Sequence, residues 1–284
     1  VGREHALHQV QGRSGGLLLP VSEKLTVLID GDIIAYKAAS VHQKTFDFGD
    51  GPVYETDLEG AIGLAENLIY TAAEKLKASS IVACLTGPLM EISARNFRKE
   101  LLPTYKGNRK GPKPVLLPSV KEYIRSTFDT KIKDGIEADD VMGIMCTHPS
   151  LIPGKKVIVS IDKDLLQVPG RHYNPDTDTK RMVSEQAGDR LFMMQTLTGD
   201  ITDNYPGLPR VGPVKAAAIL DEEPDGPIDP EITQLQWHWS RVVKAFEKKG
   251  LTEDDALVQA RCARILRHTD YDFKRNEPIL WSPR

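Results

Sequence analysis

The sequence predicts an α/β fold, a mainly parallel sheet flanked by helices. Short apolar runs of strand length alternate with longer stretches whose apolar residues recur at helical spacing. Such alternation builds parallel sheets through right-handed crossovers. Acidic groups also follow two of the runs directly, and in parallel sheets ligands bind beyond the carboxyl ends of the strands.

Residues 1–24 contain Gly, His and Gln without an apolar period and read as a loose leader. Leu25–Ile29 reads as a buried strand, followed by a short helix through Ile33, Ile34, Tyr36 and Ala39. Leu58, Ile62, Ala65, Leu68, Ile69 and Leu76 place a long helix over residues 57–78. Ile81–Leu85 is the next strand. Residues 86–118, rich in Pro, Gly and Lys, make a connection of a length that goes with function or mobility. Val120–Phe128 reads as helix, Asp139–Cys146 opens another, and Lys156–Ile161 is a third strand. Met182–Val183 is a further candidate strand and Glu185–Leu197 a helix. Beyond Leu220, the acidic stretch Asp221–Pro230 leads to two amphipathic helices, the second opened by the capping-box pattern Thr252-Glu253-Asp254-Asp255.

The net charge of −3 excludes a uniformly basic binder, although Arg95–Lys113 is locally very basic. Three cysteines, far apart and odd in number, suggest no disulfide framework, and with no CxxC pair and scattered histidines a zinc site is not expected. Leu17–Leu19 is too short for a signal-peptide core or a membrane span, so a cytoplasmic, reduced protein is expected.

Four acidic groups carry the chemistry: Asp30-Gly31-Asp32, Glu137-Ala138-Asp139-Asp140, Asp162-Lys163-Asp164 and Asp200-Ile201-Thr202-Asp203. Asp30, Asp32, Asp162 and Asp164 follow strands and project onto one sheet edge. Gathered carboxylates repel unless a cation sits among them. Magnesium prefers such oxygen donors, and two ions about 4 Å apart can activate water and stabilise the leaving oxygen of a phosphodiester. Each pair alone has a plainer reading: Asp139 and Asp140 suit the positive end of a helix, and Asp162 suits an N-cap. Four groups at matching positions beside a basic segment favour the metal reading.

That segment, Phe97 to Lys110, mixes cations with aromatics, which suits phosphates and the stacking of unpaired bases. A solvated surface loop is the bland alternative. The segment Gly207-Leu208-Pro209-Arg210-Val211-Gly212-Pro213-Val214-Lys215-Ala216 is not a P-loop, because Pro213 follows Gly212. It fits a helix-hairpin-helix turn, whose glycines permit tight turning and whose free amides meet a duplex phosphate.

Taken together, DGD, FRKELLPTYKGNRK, EADD, IDKD and GDITDNYPGLPRVGPVKA resemble the flap endonuclease/5′→3′ exonuclease superfamily, most of all its phage branch of short-tailed coliphage type. The resemblance runs from about Leu25 to the C-terminus, where Ala263–Arg267 and Tyr271–Phe273 also share it. It implies a PIN-like nuclease core over residues 25–199, including a helical arch over 86–118, and a helical DNA-binding region over 200–284 with its hairpin at 206–216. By the same resemblance Asp30, Glu137, Asp139 and Asp140 hold a first divalent ion, and Asp162, Asp164, Asp200 and Asp203 hold or organise a second. Lys106 and Arg109 act on the scissile phosphate. Arg98, Tyr105, Lys110, Gly207, Gly212 and Lys215 contact DNA, with K+ at the hairpin. The implied activity is Mg2+-dependent cleavage (Mn2+ substituting) of DNA with a 5′ end or 5′ flap, and of RNA in RNA–DNA hybrids, in phage replication, primer removal or DNA degradation. A monomer in the host cytoplasm is expected. One departure stands out: many members carry Asp after the second strand, where this chain has Thr86-Gly87, with Glu91 a candidate substitute. The role of Asp32 is open. A PIN-type ribonuclease and a non-catalytic DNA-binding scaffold are the alternatives.

Overall fold

Six strands form the sheet that positions the acidic groups, in a computed structural model that describes residues 24–87, 95–109, 111–223 and 229–283. The strands are β1 (Leu25–Asp30), β4 (Ser80–Thr86), β5 (Asp129–Lys133), β6 (Lys155–Val159), β7 (Gly170–Asn174) and β8 (Thr179–Val183), in spatial order β5-β4-β1-β6-β7-β8. Every pairing is parallel except β7 with β8. Strands β2 (Gln43–Asp47) and β3 (Pro52–Thr56) form a separate exposed hairpin. Val27, Leu28 and Ile29 are fully buried in β1, as expected for a central strand covered on both faces.

The helices are α1 (Gly31–Val41), α2 (Leu58–Lys75), α3 (Phe97–Leu101), α4 (Leu117–Thr127), α5 (Ala138–Thr147), α6 (Glu185–Thr198), α7 (Pro213–Leu220), α8 (Gln234–Glu247) and α9 (Glu253–Ala263). Helices α1, α2 and α4 cover one face of the sheet around Ala35, Ala65, Ile69 and Ile124. Helix α5 covers the other, with Leu266 and Tyr271 of the C-terminal segment packed against it. A third cluster joins Phe192 and Leu197 of α6 to Leu220, Val242, Phe246 and Ala260. The expected division at 199/200 is therefore not a break in the packing: α6 packs into the helical region, and the C-terminal segment returns to the sheet. No helix among the described residues is long and apolar enough to cross a membrane.

Strands β2, β3, β5 and β7, and a two-stranded pairing of Tyr271–Asp272 with Glu277–Pro278, are not expected from the sequence, and α3 lies inside the anticipated connection. The sheet's geometry follows from the order. From β1 the chain crosses to β4 and then β5 on one side, and later to β6 on the other. The carboxyl ends of β1 and β6 thus flank the reversal point where open α/β sheets bind ligands.

Candidate functional site

At that edge lies a cleft of 660 Å3, whose lining intermingles acidic residues with Arg95, Lys99, Lys106, Arg109, Lys113, Lys121 and Lys163. Asp30 ends β1 and caps α1, accepting from the Ile33 amide at 3.1 Å and from the Ser160 hydroxyl at 2.8 Å. The same hydroxyl oxygen accepts from the Asp162 amide at 3.0 Å, so one serine ties the ends of β1 and β6 together. Asp162 accepts from the Asp164 amide at 2.8 Å, and Gln195 of α6 donates to Asp164 at 2.8 Å. Glu137 caps α5, and Asp200 accepts from the Asp203 amide at 2.9 Å.

The electrostatics divide the carboxylates. Burial pushes Asp30 up to about 7, against its two hydrogen bonds, with Asp32 and Asp162 adding repulsion. Burial also raises Asp139 well above the carboxylate range, and Asp30, Asp162 and Glu137 raise it further. Asp164 is lifted to about 6 by burial and by Asp162 and Asp200. Glu137 behaves oppositely: burial would raise it, but Lys106 and Arg98 beside it outweigh that and hold it at about 2. Among the described residues Asp30, Asp139, Asp162, Asp164 and Asp200 form no ion pair. A carboxyl whose pKa is raised by folding favours the folded state at low pH and loses that contribution as pH climbs through its folded pKa. The melting temperature of Asp30→Asn relative to the parent is therefore expected to climb between about pH 4 and pH 7 and then level, in metal-free buffer. A difference that stays flat with pH would show that Asp30 is not strained by its surroundings.

The cations are seated on a loop rather than free in solvent. The Lys106 ammonium donates to Glu137 at 2.6 Å and lies 3.5 Å from Asp203; Arg109 donates to Asp203 at 2.7 Å. The Lys106 amide donates to the Asp203 carbonyl at 2.8 Å and Asn108 donates to the Ile201 carbonyl at 2.6 Å. Lys106 itself has φ of 54°, a left-handed conformation uncommon outside glycine. The YKGNR segment is thus docked on the Asp200–Tyr205 loop, and its two cations are carried to the acidic side.

Several expected contacts are corrected. Tyr105 is 2% exposed and its hydroxyl donates to Asp203 at 2.8 Å, so it packs in the helical core and cannot stack on a base. Arg98 is 3% exposed, with Nη1 and Nη2 each donating to Asp140 at 2.7 Å and its remaining bonds going to the Cys262 and Arg264 carbonyls. It cannot reach DNA. Asp140 is fully buried, and beyond Arg98 it accepts from the Glu137 and Leu266 amides, both at 3.0 Å. All its acceptor directions are used internally, so it positions the first turn of α5 instead of ligating an ion. Lys110 and Glu91 lie outside the described residues.

Asp32 has a clear place: Lys121 of α4 sits 2.7 Å from it, and it accepts from the Thr86 amide at 3.2 Å. Thr86 in turn accepts from the Ala138 amide at 2.9 Å, so it anchors the start of α5. At the hairpin, Gly207 has φ of 61°, and a Cβ there would lie 2.2 Å from the Gly199 amide nitrogen. Its own amide donates to Gln259 at 2.9 Å. Gly207 is thus a buried packing point and not a DNA contact. Gly212 has φ of −99°, caps α7 and has open space around it. Gly212 is thus not a left-handed turn position, and residues 212–215 at the start of α7 are exposed. Lys215 is exposed in that turn and donates to the Arg210 carbonyl at 3.3 Å.

Among the described residues no three His, Cys, Asp or Glu side chains are drawn together as a ready cage for an ion. The donor set still fits a hard divalent cation. Its donors are all oxygen, and Asp30, which is buried, and the half-buried Asp139 have pKa values raised by desolvation and by neighbouring carboxylates, Asp162 among them for both. A divalent ion would offset that repulsion. Reading the sequence missed Ser160, Gln195, Asn96 and Lys121. Asn96 donates to Glu137 at 3.1 Å and the others orient Asp30, Asp164 and Asp32. Only Ser160 gave a signal, two residues before Asp162 at a strand end.

Residues 25–190 match the family described as 5′-3′ exonuclease, N-terminal resolvase-like domain. The chain is 28% identical over 299 residues to the exodeoxyribonuclease of Enterobacteria phage T3, covering 92% of this chain and 94% of that one. It is 29% identical over 294 residues to the exonuclease of Escherichia phage T7, with the same coverage. In structure it is similar to the flap endonuclease of bacteriophage T5 in complex with DNA and metal ions, at a TM-score of 0.52, 15% identity, and coverage of 84% of this chain and 93% of that chain. That likeness carries the fold.

Proposed function

The chain belongs to the 5′-3′ exonuclease family that its residues 25–190 match, and from that membership we propose that it is a structure-specific, magnesium-dependent 5′ nuclease of DNA. The observation that supports this most is the cleft itself, where Asp30, Asp139, Asp162, Asp164 and Asp200, without ion-pair partners among the described residues, share one lining with Lys106, Arg109 and further cations at the sheet's carboxyl edge. Asp30, Glu137 and Asp139 would hold one divalent ion, and Asp162, Asp164, Asp200 and Asp203 the other. When bound, such ions activate water and stabilise the leaving oxygen. The protein's own part is to place the phosphate. Lys106 and Arg109, held above the carboxylates by Glu137 and Asp203, present positive charge where a phosphodiester must lie to meet both. A bound phosphate and bound ions would take over those ion pairs, Lys106 turning from carboxylate to phosphate. The α7 first turn and Lys215 would receive the duplex, with K+ beside the hairpin, and RNA–DNA hybrids belong to the same substrate class.

Lys106→Ala is expected to lower the single-turnover cleavage rate by about 10²–10³-fold, with duplex affinity changing far less, because its charge matters most as the phosphate becomes more negative. Equal losses in rate and affinity would reduce Lys106 to an ordinary electrostatic contact. The function as a whole is tested by offering a 5′-flap duplex, a blunt duplex and single-stranded RNA, each with magnesium or chelator. Metal-dependent cutting of DNA duplexes is the expected result. Cutting of RNA alone would instead favour a PIN-type ribonuclease, and binding without cutting a DNA-binding scaffold.

A further inference from the structure

A second charged groove lies between α7 and α8, outside the catalytic cleft. It encloses 330 Å3 over an apolar floor that includes Leu208 and Ala245, and its described rim carries Arg210, Lys215, Arg241, Lys244, Lys248 and Lys249 against the single acid Glu222. Arg241 is committed internally, lying 3.4 Å from Glu222, donating to the Glu223 carbonyl at 2.9 Å and stacking 4.0 Å over Trp237. Arg210, Lys215, Lys248 and Lys249 are exposed, and among the described residues they form no ion pair.

Helix electrostatics explains only half of this. Lys248 caps the C-terminal end of α8, where cations are favourable. Lys215 occupies the first turn of α7, where the dipole disfavours a cation, and Arg210 precedes the same helix end. Cations facing one another across a groove also repel, in a chain whose net charge is −3. The groove borders the exposed first turn of α7, a helix end suited to an anion. A polyanion that runs past α7 and on over α8 resolves both features.

We propose that this groove is a second phosphate-binding track, in which the backbone of duplex DNA received at the α7 turn continues over Lys248 and Lys249. The inference rests on the reading of the chain as a DNA nuclease. It gives the helical region after residue 230 a binding role in addition to its packing role.

The test compares the parent with Lys248→Ala/Lys249→Ala. Equilibrium binding of a 5′-flap duplex and of a short single-stranded oligonucleotide is measured at several salt concentrations. Each phosphate contact contributes about 0.9 to the slope of log affinity against log salt for duplex DNA. The duplex slope is therefore expected to fall by about 1.8 in the double variant, with single-strand binding little changed and the single-turnover rate at saturating enzyme unaltered. An unchanged duplex slope in the folded variant would overturn the proposal while leaving the nuclease reading intact. Equal losses on duplex and single strand would also overturn it, marking the lysines as a general field. A parent that binds no duplex would remove both readings.

Discussion

Asp139→Asn is expected to lower the single-turnover rate of DNA cleavage by about 10³-fold or more, while leaving the metal-free protein level or more stable. The first half follows from its place at the cleft between α5 and the end of β1, where a ligand would be lost. Ion-assisted charge stabilisation is worth several kcal/mol, and about 4 kcal/mol corresponds to 10³ in rate. The second half follows from electrostatics. Asp139 is raised well above the carboxylate range by burial and by Asp30, Asp162 and Glu137, so its charge is a cost until a cation arrives. Asparagine keeps the shape and removes the cost. Thermal melting in chelator, together with rapid-quench cleavage in magnesium, checks both halves. A variant that still turns over within about tenfold of the parent would defeat the ligand assignment. One that melts several degrees lower without metal would make Asp139 a structural residue.

The sequence made the catalytic edge legible because chemistry at strand ends leaves short, local signatures. Asp30 after an apolar run and Asp162 after another needed no tertiary information to be placed at one edge. What stayed hidden depends on partners far away in sequence. Strand β5 reads Asp-Thr-Lys-Ile-Lys, with its polar residues partly covered at the sheet edge, so no apolar run marks it. Helix α3 was concealed by the Pro- and Lys-rich composition around it. Tyr105 and Arg98 looked like surface groups because an aromatic among cations is also what a nucleic-acid contact looks like. For Arg98 the C-terminal segment's return to the sheet decides between the two, and for Tyr105 the packing of the helical cluster around Phe192 and Tyr205 does. Gly207 and Gly212 are alike in sequence, yet one is pressed against Gly199 and the other stands open.

Arg98→Met is expected to destabilise the fold by about 3–5 kcal/mol, the usual cost of leaving one member of a buried ion pair without its partner. The pair joins three parts of the chain: α3 through Arg98, the start of α5 through Asp140, and the C-terminal segment through the Cys262 and Arg264 carbonyls and the Leu266 amide. Asp140 also accepts from the Glu137 amide, so the pair sets the turn that aims Glu137 and Asp139 into the cleft. Asp140→Asn should be destabilising as well, because it leaves the Arg98 charge buried; this is the reverse of the effect expected at Asp139, one residue away. Combining Arg98→Met with Asp140→Asn removes both charges, and the double variant should lose clearly less than the sum of the two single losses. Urea unfolding of the four proteins measures the cycle. Strict additivity, or a loss below about 1 kcal/mol for Arg98→Met, would overturn the structural role. Duplex affinity supplies the second arm. If Arg98 acts only inside the fold, the folded fraction of Arg98→Met binds duplex as the parent does and keeps the parent's salt slope. A slope lowered by about one phosphate contact would return Arg98 to the DNA interface.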